Sequence, residues 1–345
     1  MSSALWWSQK VPASREAISA LATPALATLW GAQRPFELPE TRPPQELTRA
    51  ELFERICVRD PFFALREVKV LGLGSVMAQV PVEQEPTGEA APINLAEAGR
   101  HLSILGSCAA ALMSKGGQHY YLARRAGLER LYDGPLARSP GPLRGTARAE
   151  LRERRNACAN MVLSSAEGQP LYSMNVDYNV LPASAFQHLF QGARQDMRRE
   201  PRPERAPWAE PAGVELRRQN PYRLLPPLSG LERDGECLRA RLGPVGVELC
   251  KGHFVLHPVL PMATVMSGLA SLAGTLLRQL VGNALARYLV SRCEVRAESL
   301  AYPGETLLFD AHRQVVRGRD HYFDCWASVG GRVVGMMELT LTSLE

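Results

Sequence analysis

One arrangement of residues occurs twice along this chain, and it constrains the fold more than any other feature. Strand-like sequence leads into a long apolar helix rich in small residues, and β-rich segments separated by tight turns follow. In the second occurrence Leu238–Cys250 has strand character, and an apolar helix is predicted from Pro261 to Leu289. Cys293–Ala301, Thr306–Arg317, His321–Ser328 and Arg332–Thr342 then read as strands. Tyr302-Pro303-Gly304-Glu305, Arg317-Gly318-Arg319-Asp320 and Gly330-Gly331 mark the turns between them. In the first occurrence Phe63–Gln79 is strand-like, and Ile93–Met113 is an apolar helix carrying Gly99, Ser103, Gly106 and Ser107. Tyr120–Leu128, Leu143–Arg152, Ala157–Ser164 and Pro170–Val180 follow as strands. A helix that is apolar on nearly every side has to be enclosed, and the neighbouring antiparallel strands are what can enclose it. Two such units in one chain are an internal duplication that forms a pseudo-dimer.

The remaining segments punctuate this repeat. Residues 1–60 read as a helical extension broken by Pro35, Pro39, Pro43 and Pro44, and residues 191–221 as a linker dense in Pro and Arg. The two units are therefore expected at 61–190 and 222–345. Of the 40 basic residues only four are lysines, and the net charge of +5 lacks the basic block that tracks phosphates, so nucleic acid is not an expected partner. The seven cysteines contain no Cys-x-x-Cys pair, which argues against a zinc site and against a disulfide framework. They suit a reducing compartment, and a cytoplasmic location is expected, since the N-terminus has no basic region ahead of its apolar stretch. Val259–Leu277 is free of charge for 19 residues, the lower limit for a membrane span. Its Pro261, Ser267, Gly268, Ser271 and Gly274 fit a buried core helix better.

The run Gly252-His253-Phe254-Val255-Leu256-His257-Pro258-Val259-Leu260-Pro261 resembles the active-site loop of bacterial 3-hydroxyacyl-ACP dehydratases. There the loop reads Gly-His-Phe-Pro-Gly-x-Pro-x-Met-Pro-Gly and runs into the central helix of a hotdog fold. Tyr302-Pro303-Gly304-Glu305 looks like that family's Pro-Gly-Asp turn. The resemblance implies an α+β double hotdog, two central helices each wrapped by an antiparallel sheet. It also implies a second catalytic residue, an acid fourteen positions after the His. Here that position is Ser267, and the Gln usually found four residues later is Ser271.

The other half supplies what this half lacks. Its helix begins Leu95-Ala96-Glu97-Ala98-Gly99-Arg100-His101, and an acid followed four residues later by Gln or His is the pattern of family members. Residues i and i+4 share a helix face, so Glu97 and His101 can point to one spot. The loop Pro81–Pro92 ahead of this helix has no His, only Glu83, Glu85 and Glu89. The resemblance thus implies one composite site, with His253 from the C-terminal unit and Glu97 from the N-terminal unit as catalytic residues.

A neutral His near ambient pH suits removal of the C2 proton of a 3-hydroxyacyl thioester, and a carboxylic acid kept protonated suits the departing hydroxyl. Gly252 shapes the loop, and the backbone N–H of Met262, where the family has Gly, stands at the helix start as an oxyanion donor. His101 either orients Glu97, binds water or takes part in the chemistry. Structural readings stand beside these: His253 as a loop residue, Glu97 as a carboxylate at a helix N-terminus, Cys250 as core. The expected function is dehydration of a 3-hydroxyacyl thioester carried by acyl carrier protein or CoA, with no metal and no cofactor. Alternatives are an acyl-thioester hydrolase and a non-catalytic acyl-binding protein, since fold does not fix function. The fused pair predicts a monomer or loose homodimer without a membrane span.

Overall fold

The computed structural model describes residues 45–85, 88–114, 117–136, 141–153, 155–190, 220–254 and 256–344. The expectations for residues 1–44, for all but the last two residues of the 191–221 linker, and for Val255 lie outside them. The N-terminal unit comprises β1 (Gln45–Glu46), α1 (Arg49–Arg55), β2 (Arg66–Gly72), β3 (Ser75–Val80), α2 (Leu95–Met113), β4 (His119–Arg130), β5 (Leu143–Glu153), β6 (Asn156–Ser164) and β7 (Pro170–Pro182). The C-terminal unit comprises β8 (Ser229–Asp234), β9 (Cys237–Leu242), α3 (Met262–Val281), β10 (Tyr288–Ala297), β11 (Leu307–Arg317), β12 (Asp320–Val329) and β13 (Arg332–Ser343).

Among the described residues the strands form one 13-stranded sheet, ordered β1-β2-β3-β5-β6-β7-β4-β10-β13-β12-β11-β9-β8. Outward from the centre, each half runs through the same sequence of elements: the strand after the helix, the last meander strand, the middle one, the first, and the hairpin that precedes the helix. The halves meet where β4 pairs antiparallel with β10, from Arg292 opposite Glu129 to Arg296 opposite Arg125. This is a double hotdog with its two sheets joined edge to edge.

Several boundaries differ from the sequence reading, each for a local reason. Phe63–Gln79 is a hairpin rather than one strand, because Gly74 takes a left-handed conformation (φ 68°) between β2 and β3. The strand expected over Leu238–Cys250 stops at Leu242, where Gly243 (φ 128°) and Pro244 leave the ladder. β8 escaped notice because all six of its residues are exposed, so no alternation marks it. The helix expected to reach Leu289 ends at Gly282, a left-handed cap whose N–H donates to the Arg278 carbonyl. The apolar Tyr288, Leu289 and Val290 beyond it open β10 instead.

Small residues on both helices are what let the sheet close around them. A Cβ on Gly106 of α2 would lie 2.5 Å from the Tyr178 hydroxyl and 2.9 Å from the Met161 sulfur. That hydroxyl donates to the Ser103 carbonyl at 2.7 Å, so the ring is pinned against the helix backbone. On α3, a Cβ at Gly268 would lie 2.7 Å from the Phe309 ring, and one at Gly274 would collide with the Tyr288 hydroxyl. No described helix is long and apolar enough to cross a membrane.

The two helices start differently. Both N-caps, Asn94 and Pro261, are extended and make no side-chain cap. At α2, however, the Leu95 N–H donates to both oxygens of the Glu89 carboxyl, at 3.1 and 3.2 Å. Burial pushes Glu89 up to about 8; the Leu95 N–H works against this and the charge of Glu97 adds to it. Glu89 is therefore a neutral plug over the start of α2.

Two stability predictions follow from this packing. Gly106→Leu and Gly268→Leu should each lower the unfolding free energy by about 1–3 kcal/mol or more in urea titrations. Gly72→Ala, with open space around the added methyl, should change it by less than about 0.5 kcal/mol. The raised carboxyl of Glu89 binds a proton in the folded chain that the unfolded chain releases, so its contribution is complete below about pH 4.5 and is lost as pH rises through about 8. Glu89→Gln should flatten the fall in stability across that window, by up to about 1.4 kcal/mol per pH unit.

Candidate active site

The first turn of α2 carries Glu97, whose side chain is fully buried. The loop leaving β3 folds over it, so that the Glu83 N–H donates to Oε1 at 2.5 Å and the Gln84 N–H reaches both oxygens at 3.3 Å. Burial alone would push this carboxyl up. His101 beside it, the Glu83 N–H and the charge of Arg100 together outweigh it and hold Glu97 below the ordinary carboxylate range. Glu97 is an anion at neutral pH.

His101 lies one turn further along α2 and is wholly buried. Its Nε2 is 3.7 Å from Glu97 Oε1, long for a hydrogen bond, and 3.1 Å from Arg100 Nη2. Burial and the Arg100 charge hold its pKa down, against the pull of Glu97 and Glu83, so the ring is neutral. A guanidinium can only donate, which makes Nε2 the acceptor and places the ring hydrogen on Nδ1. Arg100 also forms an ion pair with Glu83 through Nη2, and its guanidinium lies 5.2 Å from the Tyr222 ring and 6.0 Å from the Phe62 ring. Ligand atoms of Glu83, Glu97 and His101 lie within 4.8 Å of one another, close enough to share a metal ion. Arg100 Nη2 bonds two of the three, so a guanidinium already supplies the cation there.

His253 sits on the loop before α3, and that loop is held by the N-terminal unit. The Arg59 N–H donates to the Gly252 carbonyl at 2.7 Å, Val58 bridges His253, and the Phe254 N–H donates to the Cys57 carbonyl at 3.1 Å. Gly252 is required here: its φ is 81°, and an added Cβ would collide with the Arg59 carbonyl and lie 2.7 Å from that of Asp60. The His253 ring stacks on Phe254 at 4.0 Å and meets the edge of Phe62 at 4.9 Å. Its Nδ1 lies 3.1 Å from the Val259 carbonyl, so Nδ1 carries the hydrogen and Nε2 keeps its lone pair. Burial pushes this His down to about 4 despite the Val259 bond, and it is neutral at physiological pH.

His257 is packed among Phe190, Phe186 and Tyr120, with ring centroids 4.6, 5.6 and 6.1 Å away. Burial drives the Cys250 thiol up to about 12, which makes it a core residue rather than a nucleophile. Leu256 is 77% exposed and points away from any core.

Glu97 opens onto a cavity between the two helices. Ala96, Glu97 and Arg100 of α2 face it from one side, Ala263, Thr264 and Ser267 of α3 from the other, and Tyr222 with Leu224 and Leu225 covers it. Counted from Asn94 and Pro261, these are the second, third and sixth residues of each helix. Glu97 therefore corresponds to Thr264, and Arg100 to Ser267, so the acid of α2 is not the mate of the Ser267 position. His253 is not among the wall residues. Phe62 joins the two regions, its ring edge-on to His253 at 4.9 Å and to Tyr222 at 5.0 Å. The Met262 N–H belongs to the uncapped first turn of α3 one residue before Ala263. Sequence reasoning missed Arg100, Glu83 and Thr264. Arg100 lay inside the quoted α2 motif, and its signal was an arginine in an otherwise apolar helix.

No family model matches the sequence. Solved structures share its architecture. A tesB protein from Mycobacterium avium subspecies paratuberculosis superposes with a TM-score of 0.50 at 11% identity, over 81% of this chain and 96% of that one. A protein described as an oleoyl thioesterase from Lactobacillus plantarum does so with a TM-score of 0.50 at 13% identity, over 79% of this chain and all of that one. A protein of unknown function from Alicyclobacillus acidocaldarius, described as having a hot dog fold, matches at 0.45 and 10% identity, over 81% and 96% of the two chains. At these identities the likeness is one of fold, and the fold is the double hotdog.

Proposed function

We propose that the chain hydrolyses acyl thioesters, with Glu97 as the general base. The observation that carries this is the state of Glu97: a buried carboxylate, in a cavity wall, held below the ordinary carboxylate range by His101 beside it, by backbone N–H groups and by a neighbouring guanidinium. An anion takes protons. A dehydratase needs the same residue as an acid, which this environment disfavours. Water lying between Glu97 and the thioester attacks the carbonyl carbon while Glu97 accepts its proton. The C–S bond then breaks, the thiolate leaves with that proton, and the products are the free acid and the thiol. The carbonyl oxygen, negative in the tetrahedral intermediate, finds donors in the uncapped first turn of α3 and in the Thr264 hydroxyl. The activity named for the Lactobacillus protein is of this class. The thiol is the pantetheine arm of acyl carrier protein or of CoA.

One observation favours dehydration as a second reading. His253 is neutral with a bare Nε2 on a Gly-His-Phe loop leading into α3, the state needed to take a C2 proton. Incubation with saturated acyl, 3-hydroxyacyl and enoyl thioesters separates the two: a hydrolase releases free thiol from the saturated substrate, and a dehydratase interconverts the other two without releasing thiol. Glu97→Gln should lower the rate of thiol release by roughly 10²–10⁴-fold while the urea midpoint shows the protein folded, and His253→Ala should leave release within about tenfold. Full hydrolysis by Glu97→Gln would end the assignment of the base. Dehydration without hydrolysis, lost in His253→Ala, would establish the second reading.

A further inference from the structure

The cavity next to Glu97 contains more hydrogen-bond donors than the protein itself uses. Arg100, Thr264 and Ser267 are 2%, 7% and 5% exposed, and all three line its walls. Arg100 Nε and Nη1, Thr264 Oγ1 and Ser267 Oγ are buried without a hydrogen-bond partner. Other hydroxyls in these helices behave differently: those of Ser103, Ser107 and Thr275 donate to carbonyls three or four residues back, the usual resting place for a helical Ser or Thr. Thr264 and Ser267 leave that option unused. Buried polar groups left unpaired destabilise a fold, and where they cluster in one cavity they mark a ligand.

The charges narrow the ligand. Glu83 neutralises the guanidinium, and Glu97 adds a negative charge of its own, so the cavity does not favour an anion. It has donors but no excess positive charge, which fits a neutral oxygen acceptor. The donors fall on two levels. Glu97 and Thr264 occupy equivalent positions near the start of their helices, and Arg100 and Ser267 come three residues later, a rise of roughly 4.5 Å. The first level serves the thioester carbonyl. The second is placed for another oxygen a short way along the acyl chain. A carbonyl oxygen has two lone pairs and no hydrogen, and Arg100 with Ser267 offers two donors.

Resting on the hydrolase reading of this site, we propose that the preferred substrate is a 3-oxoacyl thioester, with Arg100 and Ser267 binding the C3 carbonyl as specificity-determining residues. Leu224 and Leu225 give the cavity an apolar cover for the chain that continues beyond C3.

The test is the ratio of kcat/KM for a 3-oxoacyl thioester to that for the saturated thioester of the same length. The wild-type ratio should exceed about tenfold, because a site built to bond an oxygen rejects the analogue lacking it. Ser267→Ala and Arg100→Lys should each bring it down by about three- to tenfold, the lysine keeping the charge that Glu83 requires. A ratio near one in the wild type, or one unmoved by both substitutions, overturns the proposal. Ser267→Ala should also keep or raise the melting temperature, since it deletes an unsatisfied hydroxyl; a clear drop would mark Ser267 as structural and remove it from the site. If the wild type hydrolyses neither substrate, the hydrolase reading fails by itself. Calorimetry with a 3-oxoacyl amide analogue against its saturated counterpart then decides the binding claim: tighter binding of the oxo compound by the wild type, lost in Ser267→Ala, supports it, and equal binding overturns it.

Discussion

The structure depends on the antiparallel pairing of β4 with β10. Each strand follows directly on its central helix, so joining them sets the two helices side by side beneath one continuous sheet. Separate sheets would leave two unpaired edges, where backbone N–H and C=O groups invite aggregation. They would also leave the apolar faces of both helices half covered. The cavity is a product of this junction: its two walls are the same three positions of two equivalent helices, brought together by strands that end more than twenty residues from either N-cap in the chain.

Within that frame, the chemistry of the site is set by how Glu97 is paired. A carboxylate deprived of water would ordinarily be neutral. His101, backbone N–H groups from the β3 loop and the guanidinium of Arg100 reverse this. Arg100 is in turn fixed by Glu83 and by the faces of Tyr222 and Phe62. Removing any one partner would leave a buried charge unmatched, the costly way to disturb such a group. His101 lies between Glu97 and Arg100, its Nε2 3.7 Å from Glu97 Oε1 and 3.1 Å from Arg100 Nη2, while N–H groups of the loop bond the carboxylate.

The duplicated order of elements was legible because enclosed helices and turn-bounded strands leave strong local signals. Gly106, Gly268 and Gly274 counted among the small residues that marked both helices as enclosed. Less local features were not legible. β8 has no buried face and so no alternation. The end of α3 was hidden because Gly282 lies between two apolar runs that belong to different elements. At the site, the Gly-His-Phe loop and the Glu97–His101 spacing were visible in the sequence. The part played by Arg100 was not, since its partners come from residues 83, 62 and 222 and only the fold brings them together. Whether Glu97 is acid or base depends on those partners too, and no local run of sequence carries them.

Glu89 shows what fusion into one chain permits. In a pair of identical subunits any residue appears at both symmetry-related places, and a carboxyl closing one helix start closes the other. Here the start of α2 is stoppered and the start of α3 is left bare, an asymmetry no homodimer can encode. Each half can therefore treat its own helix start differently, α2 closed by a carboxyl and α3 by none. The molecule behaves as a heterodimer whose stoichiometry can never drift from one to one.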